Sequence, residues 1–369
     1  MSILSRLLAA TAAGVVVLAG ASAAFAAPSP SAVQLAGDRW GYVWANQPTT
    51  ASYTPSTFYQ GNSTGALNTI TRNGTGSYVV HFANLGPFGP STGGGGMVHV
   101  SAYGSGTTMC KVASWFPSGS SLNANVRCFT LTGAAADSLF TASFTGTLNN
   151  PGDFGFVWAN QPSAAAPYTP SLLYQFNSKG RTNTVTRVTP GRYAVLMPGL
   201  GGGAVGGTVL VTGYSSDNTN CIVSDWFSDG TDLDVDVQCR NPAGAQVDAF
   251  FTVTYARSTS MLGVVGAPAG YVLNTQPTTP SYAPPASHQF NSTGGVNTVT
   301  RSTVGNYTVH LPGLDQNNGH VQVTTSGFST ERCRVNFWFA TAGGLDVNVL
   351  CFGPSGAPLD SRFTMNFVR

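Results

Sequence analysis

The sequence predicts an all-β protein: three tandem β-sandwich domains, jelly-roll or immunoglobulin-like, each with one cross-strand hairpin disulfide. Three observations predict it. Apolar and polar residues alternate in TITR, SYVVHF, MVHVSAYG and LFTASF, the period that puts one side-chain set on each face of a strand. No stretch of a dozen residues carries a helical stripe, and runs of five to eight residues end at Gly, Pro, Asn or Ser. A nineteen-residue element occurs three times: CKVASWFPSGSSLNANVRC (Cys110 to Cys128), CIVSDWFSDGTDLDVDVQC (Cys221 to Cys239) and CRVNFWFATAGGLDVNVLC (Cys333 to Cys351).

Folded as an antiparallel hairpin with its turn at Pro117–Ser121, the first copy sets Cys110 opposite Cys128, Val112 opposite Val126 and Phe116 opposite Leu122. One face then collects Cys, Val, Phe, Leu and Val, and the two sulfurs meet at its end. In this register the reverse face carries Trp115, Trp226 and Trp338, opposite Asn123, Asp234 and Asp346. The six cysteines are all that the chain has. Structural zinc sites pair cysteines two to four residues apart. The spacing here is seventeen and no His recurs beside it, so a disulfide is favoured over zinc. Closing such a loop adds roughly 3 kcal/mol in the chain-entropy model.

Residues 1–27 read as a secretory signal, with Arg6, an apolar Leu7 to Ala21 and a small-x-small site at Ala24-Phe25-Ala26. The predicted compartment is therefore extracellular, with no membrane attachment after cleavage. Charged residues make up only 8 % of the chain and the net charge is +2, which argues against nucleic acid or anionic lipid as partner. Apolar residues reach 42 %, with 21 Phe and 13 Tyr, enough for several cores.

Self-comparison gives a period of about 115 residues. GYVWANQP at Gly41 returns as GFVWANQP at Gly155 and GYVLNTQP at Gly270, and QGNSTGALNTITR has two matching copies. The expected organisation is a leader loop at 28–40, then sandwich repeats at 41–146, 147–256 and 257–369, with short linkers at 147–154 and 257–269. Each repeat is long enough to hold its own core, which reads as beads on linkers. An immunoglobulin disulfide crosses between sheets, whereas this one joins neighbours within a hairpin, so a jelly-roll-like topology is favoured. The phrase TRNGTGSYVVHF resembles strand-turn-strand segments of secreted and phage-tail jelly-roll proteins. The full repeat resembles uncharacterised exported tandem-repeat β proteins of actinobacteria, a resemblance that implies no particular activity.

One Arg and one Asp recur at matching places in all three repeats: Arg72 with Asp137, Arg187 with Asp248, Arg301 with Asp360. In so uncharged a chain they read as structural ion pairs tying the Thr-rich strand to the last strand; an anion-greeting Arg is the functional alternative. The segment Asn62, Ser63, Gly65, Asn68 reads as a self-bonded turn. Gly61-Asn62-Ser63-Thr64-Gly65 matches a nucleophile elbow by letters alone, since no helix or His partner accompanies it. Gly201 to Gly206 likewise matches a dinucleotide fingerprint, but the strand TVLV follows where a helix is required.

Of the five His, only His81 and His310 align, with Leu196 at that place in the second repeat. Asp137 is the single acidic residue of the first repeat, so no carboxylate pair for glycoside hydrolysis exists there. The second repeat has Asp225, Asp229, Asp232, Asp234 and Asp236, and their alternation reads as a wetted strand face and not a calcium site. No metal, cofactor or catalytic set is expected.

The remaining candidates are the hairpin tryptophans Trp115, Trp226 and Trp338 beside Asn123, Asp234 and Asp346, as stacking platforms for sugar rings. Their structural alternative is packing beneath the Gly-rich loop. The leading functional expectation is a secreted, non-catalytic binding or adhesion protein whose partner is a polysaccharide, a cell-surface glycan or another surface protein. A structural or assembly protein of the cell exterior, with modules around a pseudo-threefold axis, is the alternative. A secreted hydrolase ranks last.

Overall fold

Each Cys-to-Cys element folds as one hairpin, and the remaining strands of each module build a two-sheet sandwich over it. The structure is a computed structural model describing residues 39–86, 95–146, 152–202, 206–315, 317–328 and 330–369. The export signal, residues 28–38 of the leader loop and 147–151 of the first linker lie outside the described residues. The first module contributes β1 (Trp40–Ala45), β2 (Ser52–Tyr53), β3 (Gln60–Asn62), β4 (Thr69–Gly74), β5 (Ser77–Phe82), β6 (Met97–Tyr103), β7 (Met109–Ser118), β8 (Ser121–Phe129) and β9 (Leu139–Thr145). The second contributes β10 (Asp153–Ala159), β11 (Gln175–Asn177), β12 (Thr184–Thr189), β13 (Arg192–Met197), β14 (Thr208–Tyr214), β15 (Asn220–Asp229), β16 (Asp232–Arg240) and β17 (Phe250–Arg257). The third contributes β18 (Ala269–Asn274), β19 (Ser281–Tyr282), β20 (Gln289–Asn291), β21 (Thr298–Thr303), β22 (Asn306–Pro312), β23 (His320–Ser326), β24 (Arg332–Thr341), β25 (Gly344–Phe352) and β26 (Arg362–Val368).

In the first module the hairpin sheet β2-β4-β5-β8-β7 covers the second sheet β6-β9-β1-β3. Alternate residues fill the space between them: Tyr78, Val80 and Phe82 from β5 meet Phe140, Ala142 and Phe144 from β9. Two further cores repeat this arrangement, one centred on each of the other modules.

The sheets do not stop at module boundaries. The hairpin edge β7 pairs in parallel with β14 of the second module, β15 pairs with β23 of the third, and β24 pairs with β6 of the first. Three sheets of nine, nine and eight strands result, each shared by two modules. One backbone bond marks each junction: Ser215 N–H to Val112 O at 3.0 Å, Gly327 N–H to Val223 O at 3.0 Å and Gly104 N–H to Val335 O at 2.9 Å. The relation is cyclic, so the chain closes a ring around an axis where β6, β14 and β23 touch one another. This corrects the expectation of beads on linkers; the described residues form one compact unit. The apolar alternation misled because the outward faces of these sheets are buried too, against the neighbouring module.

Those faces are polar. Ser101, Thr212 and Thr324 hold equivalent places on the three axial strands, and each hydroxyl donates to a valine carbonyl of the next strand: Val323 at 3.0 Å, Val100 at 3.5 Å and Val211 at 3.2 Å. The same oxygens accept from the N–H groups of Val323, Val100 and Val211. A second ring, on the neighbouring strands, runs from Thr141 to Val321 O at 2.8 Å, Thr252 to Val98 O at 3.1 Å and Thr364 to Val209 O at 2.8 Å. Backbone groups left over by sheet pairing are thus satisfied across the axis. His99 joins this network, its ring nitrogens 3.0 Å and 2.8 Å from Thr212 and Thr254 hydroxyls. Burial lowers His99 and His320 to about 3, so both imidazoles stay neutral at ordinary pH.

Ser215 donates its junction bond from a left-handed backbone, φ 115°, where the other two modules place Gly104 at 91° and Gly327 at 131°. A side chain is strained there and glycine is not. Ser215→Gly is therefore expected to stabilise the protein by about 1 kcal/mol, read as a raised midpoint in urea at unchanged slope.

Candidate functional site

The paired cysteines are bridged: Cys110–Cys128, Cys221–Cys239 and Cys333–Cys351, each pair directly opposite in its hairpin. Val112 also lies opposite Val126. Beyond it the register shifts at a bulge, with Ala113, Ser224 and Asn336 as the extra residues. Trp115 therefore faces Ala124, and Phe116 faces Asn123 instead of Leu122. One inserted residue reverses which face every later side chain takes. This corrects the expected hairpin: the tryptophans turn inward and Phe116, Phe227 and Phe339 turn out, 44 %, 41 % and 46 % exposed.

Trp115 and Trp226 are buried and donate their indole N–H to Gly95 O at 3.0 Å and Gly206 O at 3.3 Å, in the Gly-rich connections. Trp338 stays half-buried and has no such bond among the described residues. Asn123 and Asp346 sit beside histidines on the neighbouring strand, Asn123 Oδ1 2.9 Å from His81 Nδ1 and Asp346 Oδ1 2.6 Å from His310 Nδ1. In the second module Leu196 takes that place opposite Asp234. One Asp234 oxygen is consequently buried without a partner, and burial, then the charges of Asp236 and Asp229, raise Asp234 to about 6. The alignment of His81 with His310 was visible in the sequence; their partners across the strand were not. Among the described residues no group of three or more acidic, His or Cys side chains is arranged to hold a metal ion.

The recurring ions meet in all three modules. Arg72 reaches Asp137 through Nε at 3.0 Å and Nη2 at 2.7 Å, Arg187 reaches Asp248 at 2.9 Å twice, and Arg301 reaches Asp360 at 2.8 Å twice. Each Asp also accepts a glycine N–H, from Gly76, Gly191 or Gly305, at 2.9 Å. Gly76 has φ 63°, and a Cβ there would lie 2.5 Å from Cys128 O, so no other residue fits the site. A tyrosine, Tyr78, Tyr193 or Tyr307, places its hydroxyl beside the same carboxylate and accepts the N–H of the residue after it. Each triad binds the β4–β5 turn, or its counterpart, to the segment leading into the final strand. The tyrosine was the missed member; its Gly-x-Tyr phrase recurs, but it reads as the start of a strand.

Two junction cations were also missed, because neither recurs. Lys111 is 3 % exposed and donates to Asp217 at 2.8 Å and Thr219 at 2.9 Å in the next module. Arg334 holds the matching place on β24 and donates to the carbonyls of Tyr103, Gly106 and Thr108. The second module has Ile222 there.

The Asn-Ser turns are tied by their own buried amides. Asn68, Asn183 and Asn297 are fully buried, and Asn68 binds Asn62, Gln60, Tyr42 and Gly61.

What remains open is the junction of the third and first modules. Trp44, Tyr59, Tyr103 and Trp338 cluster there, with Trp44 ring centroids 4.1 Å from Tyr59, 4.7 Å from Tyr103 and 5.5 Å from Trp338. These rings, with Phe58 and Asn317, line a hollow of about 320 Å³. Phe58 is 61 % exposed, and the Trp44 indole nitrogen is buried without a partner. The junction of the first and second modules carries the same ring types, Trp115, Trp158, Tyr174 and Tyr214. There the hairpin tryptophan is 6 % exposed and tied to Gly95. At the remaining junction the places of Trp44 and Tyr59 hold Leu273 and His288.

No known protein family matches this chain, and no curated protein matches it.

The six ionic side chains of the triads keep 17–26 % of their surface, so the cost of a fully buried pair does not apply. Asp137→Ala strips four bonds from one carboxylate and is expected to cost about 2 kcal/mol. The Arg72 guanidinium holds Asp137 down at about 2. A lowered acid contributes stability that is complete above its unfolded value near 3.8 and lost as pH falls toward 2. The gap between Asp137→Ala and wild type in denaturant titrations should therefore narrow between about pH 4 and pH 2.

Proposed function

We propose that this is a secreted, non-catalytic binding protein whose ligand is a polysaccharide or cell-surface glycan. The observation that carries the reading is the aromatic hollow lined by Trp44, Phe58, Tyr59, Tyr103 and Trp338. Exposed ring faces next to amide and indole groups are the usual surface for the apolar face of a sugar. Of the three hairpin tryptophans, Trp338 alone belongs to such a surface, so the reading narrows to one principal site. Asn123, Asp234 and Asp346 then serve the hairpin strands and not the ligand. Three disulfides fit an oxidising compartment, and no described helix is long and apolar enough to cross a membrane. The adhesion or assembly reading draws on a different feature, the neighbouring exposed rings of Phe337 and Phe339, 42 % and 46 % exposed with centroids 5.8 Å apart.

The test is retention on insoluble polysaccharides together with a glycan array, comparing wild type with Phe58→Ala and Trp338→Ala. Binding in wild type that falls at least tenfold in both variants supports the reading. Absence of any retained glycan, or equal retention by both variants, overturns it.

A further inference from the structure

A second cavity, far smaller, lies on the ring axis at its disulfide end. Its volume is about 60 Å³, and it is lined by equivalent residues from all three modules, including Cys110, Cys221 and Cys333. The hydroxyl-bearing ring of Ser101, Thr212 and Thr324 borders it. At water's share of about 30 Å³ each, it has room for roughly two waters, so only a small ligand fits.

The cavity wall is asymmetric in charge. At one position the first module has Met109, the second Asn220 and the third Arg332; at the next inward-facing position on β24 stands Arg334. Arg332 makes no side-chain hydrogen bond among the described residues, and its Nη1 is buried without a partner. Arg334 is 4 % exposed; its Nη atoms are bound to repeat-one carbonyls, but its Nε has no partner. Neither guanidinium forms a salt bridge among the described residues, whereas the ammonium of Lys111 is neutralised by Asp217. Glu331 lines the adjoining cleft and not this cavity. Burial alone depresses both guanidiniums, Arg334 to about 10, with no acidic group acting in return. Two uncompensated cations beside a polar cavity are costly unless an anion joins them. Guanidinium N–H groups match the geometry of oxyanions in particular.

We propose that the axial cavity is a binding site for a small tetrahedral oxyanion of the phosphate or sulfate class, held by Arg332 with Arg334 behind it. The anion sits where the three modules converge and stabilises the closed ring. Because it binds the folded ring only, it raises stability by mass action.

The probe is inorganic phosphate. Thermal unfolding of the mature protein is followed in phosphate and in sodium chloride of equal ionic strength, and phosphate binding is measured directly by calorimetric titration. The expected result is a melting temperature that climbs with the logarithm of phosphate concentration in wild type, one phosphate bound per chain, and competition by sulfate. Arg332→Met and Arg332→Asn copy the residues that the other two modules place there, so the position tolerates both. Each should keep the wild-type far-UV spectrum in chloride and lose at least tenfold in phosphate affinity. Failure of wild type to bind phosphate saturably overturns the proposal, whatever the variants do. So does phosphate binding that both variants retain at wild-type affinity.

Discussion

The ring depends on hydroxyl groups that cap backbone across its axis. Sheet pairing between modules supplies one junction bond each, which leaves the inner edges of β6, β14 and β23 largely unpaired. These edges are buried, and unpaired buried backbone is expensive. Ser101, Thr212 and Thr324 resolve this by both donating to and accepting from a valine of the next strand. Valine at those positions would have the right shape but no hydrogen bond to give. A polar interior is thus forced by the geometry, since three edges meeting at an axis cannot all be paired by further strands.

Around that axis the modules are held differently within and between. Within a module, the disulfide fixes the open end of the hairpin, and the Arg-Asp-Tyr triad with its glycine fixes the turn between the Thr-rich strand and its partner to the final strand. Both devices recur three times without variation. Between modules the fastenings differ: Lys111 is matched by Arg334, then by Ile222. Two junctions carry aromatic quartets and the remaining one does not. One aromatic hollow is open and one axial wall is cationic because equivalent places hold different residues.

The parts of the fold legible in the sequence were those with local or exactly recurring signals. Cys110 opposite Cys128 follows from spacing and alternation, and Arg72 with Asp137 stands out because charge is so rare. The indole faces were not legible, since a bulge at Ala113 leaves no mark that distinguishes it from a regular strand residue. Nor was the ring. Ser101, Thr141 and Thr252 alternate with valine and phenylalanine as solvent-facing residues would, and only the neighbour's carbonyls reveal their burial. Phe58 and Trp44 looked like parts of separate loop and strand motifs, because the hollow they share with Trp338 joins residues almost three hundred positions apart.

Shared sheets make one statement about energetics unavoidable: no module should unfold while its neighbours stay intact. Differential scanning calorimetry of the mature, oxidised chain measures this directly. The account predicts a single transition whose calorimetric and van't Hoff enthalpies agree for the whole chain. Three resolved transitions, each with an enthalpy appropriate to about a hundred residues, would contradict it.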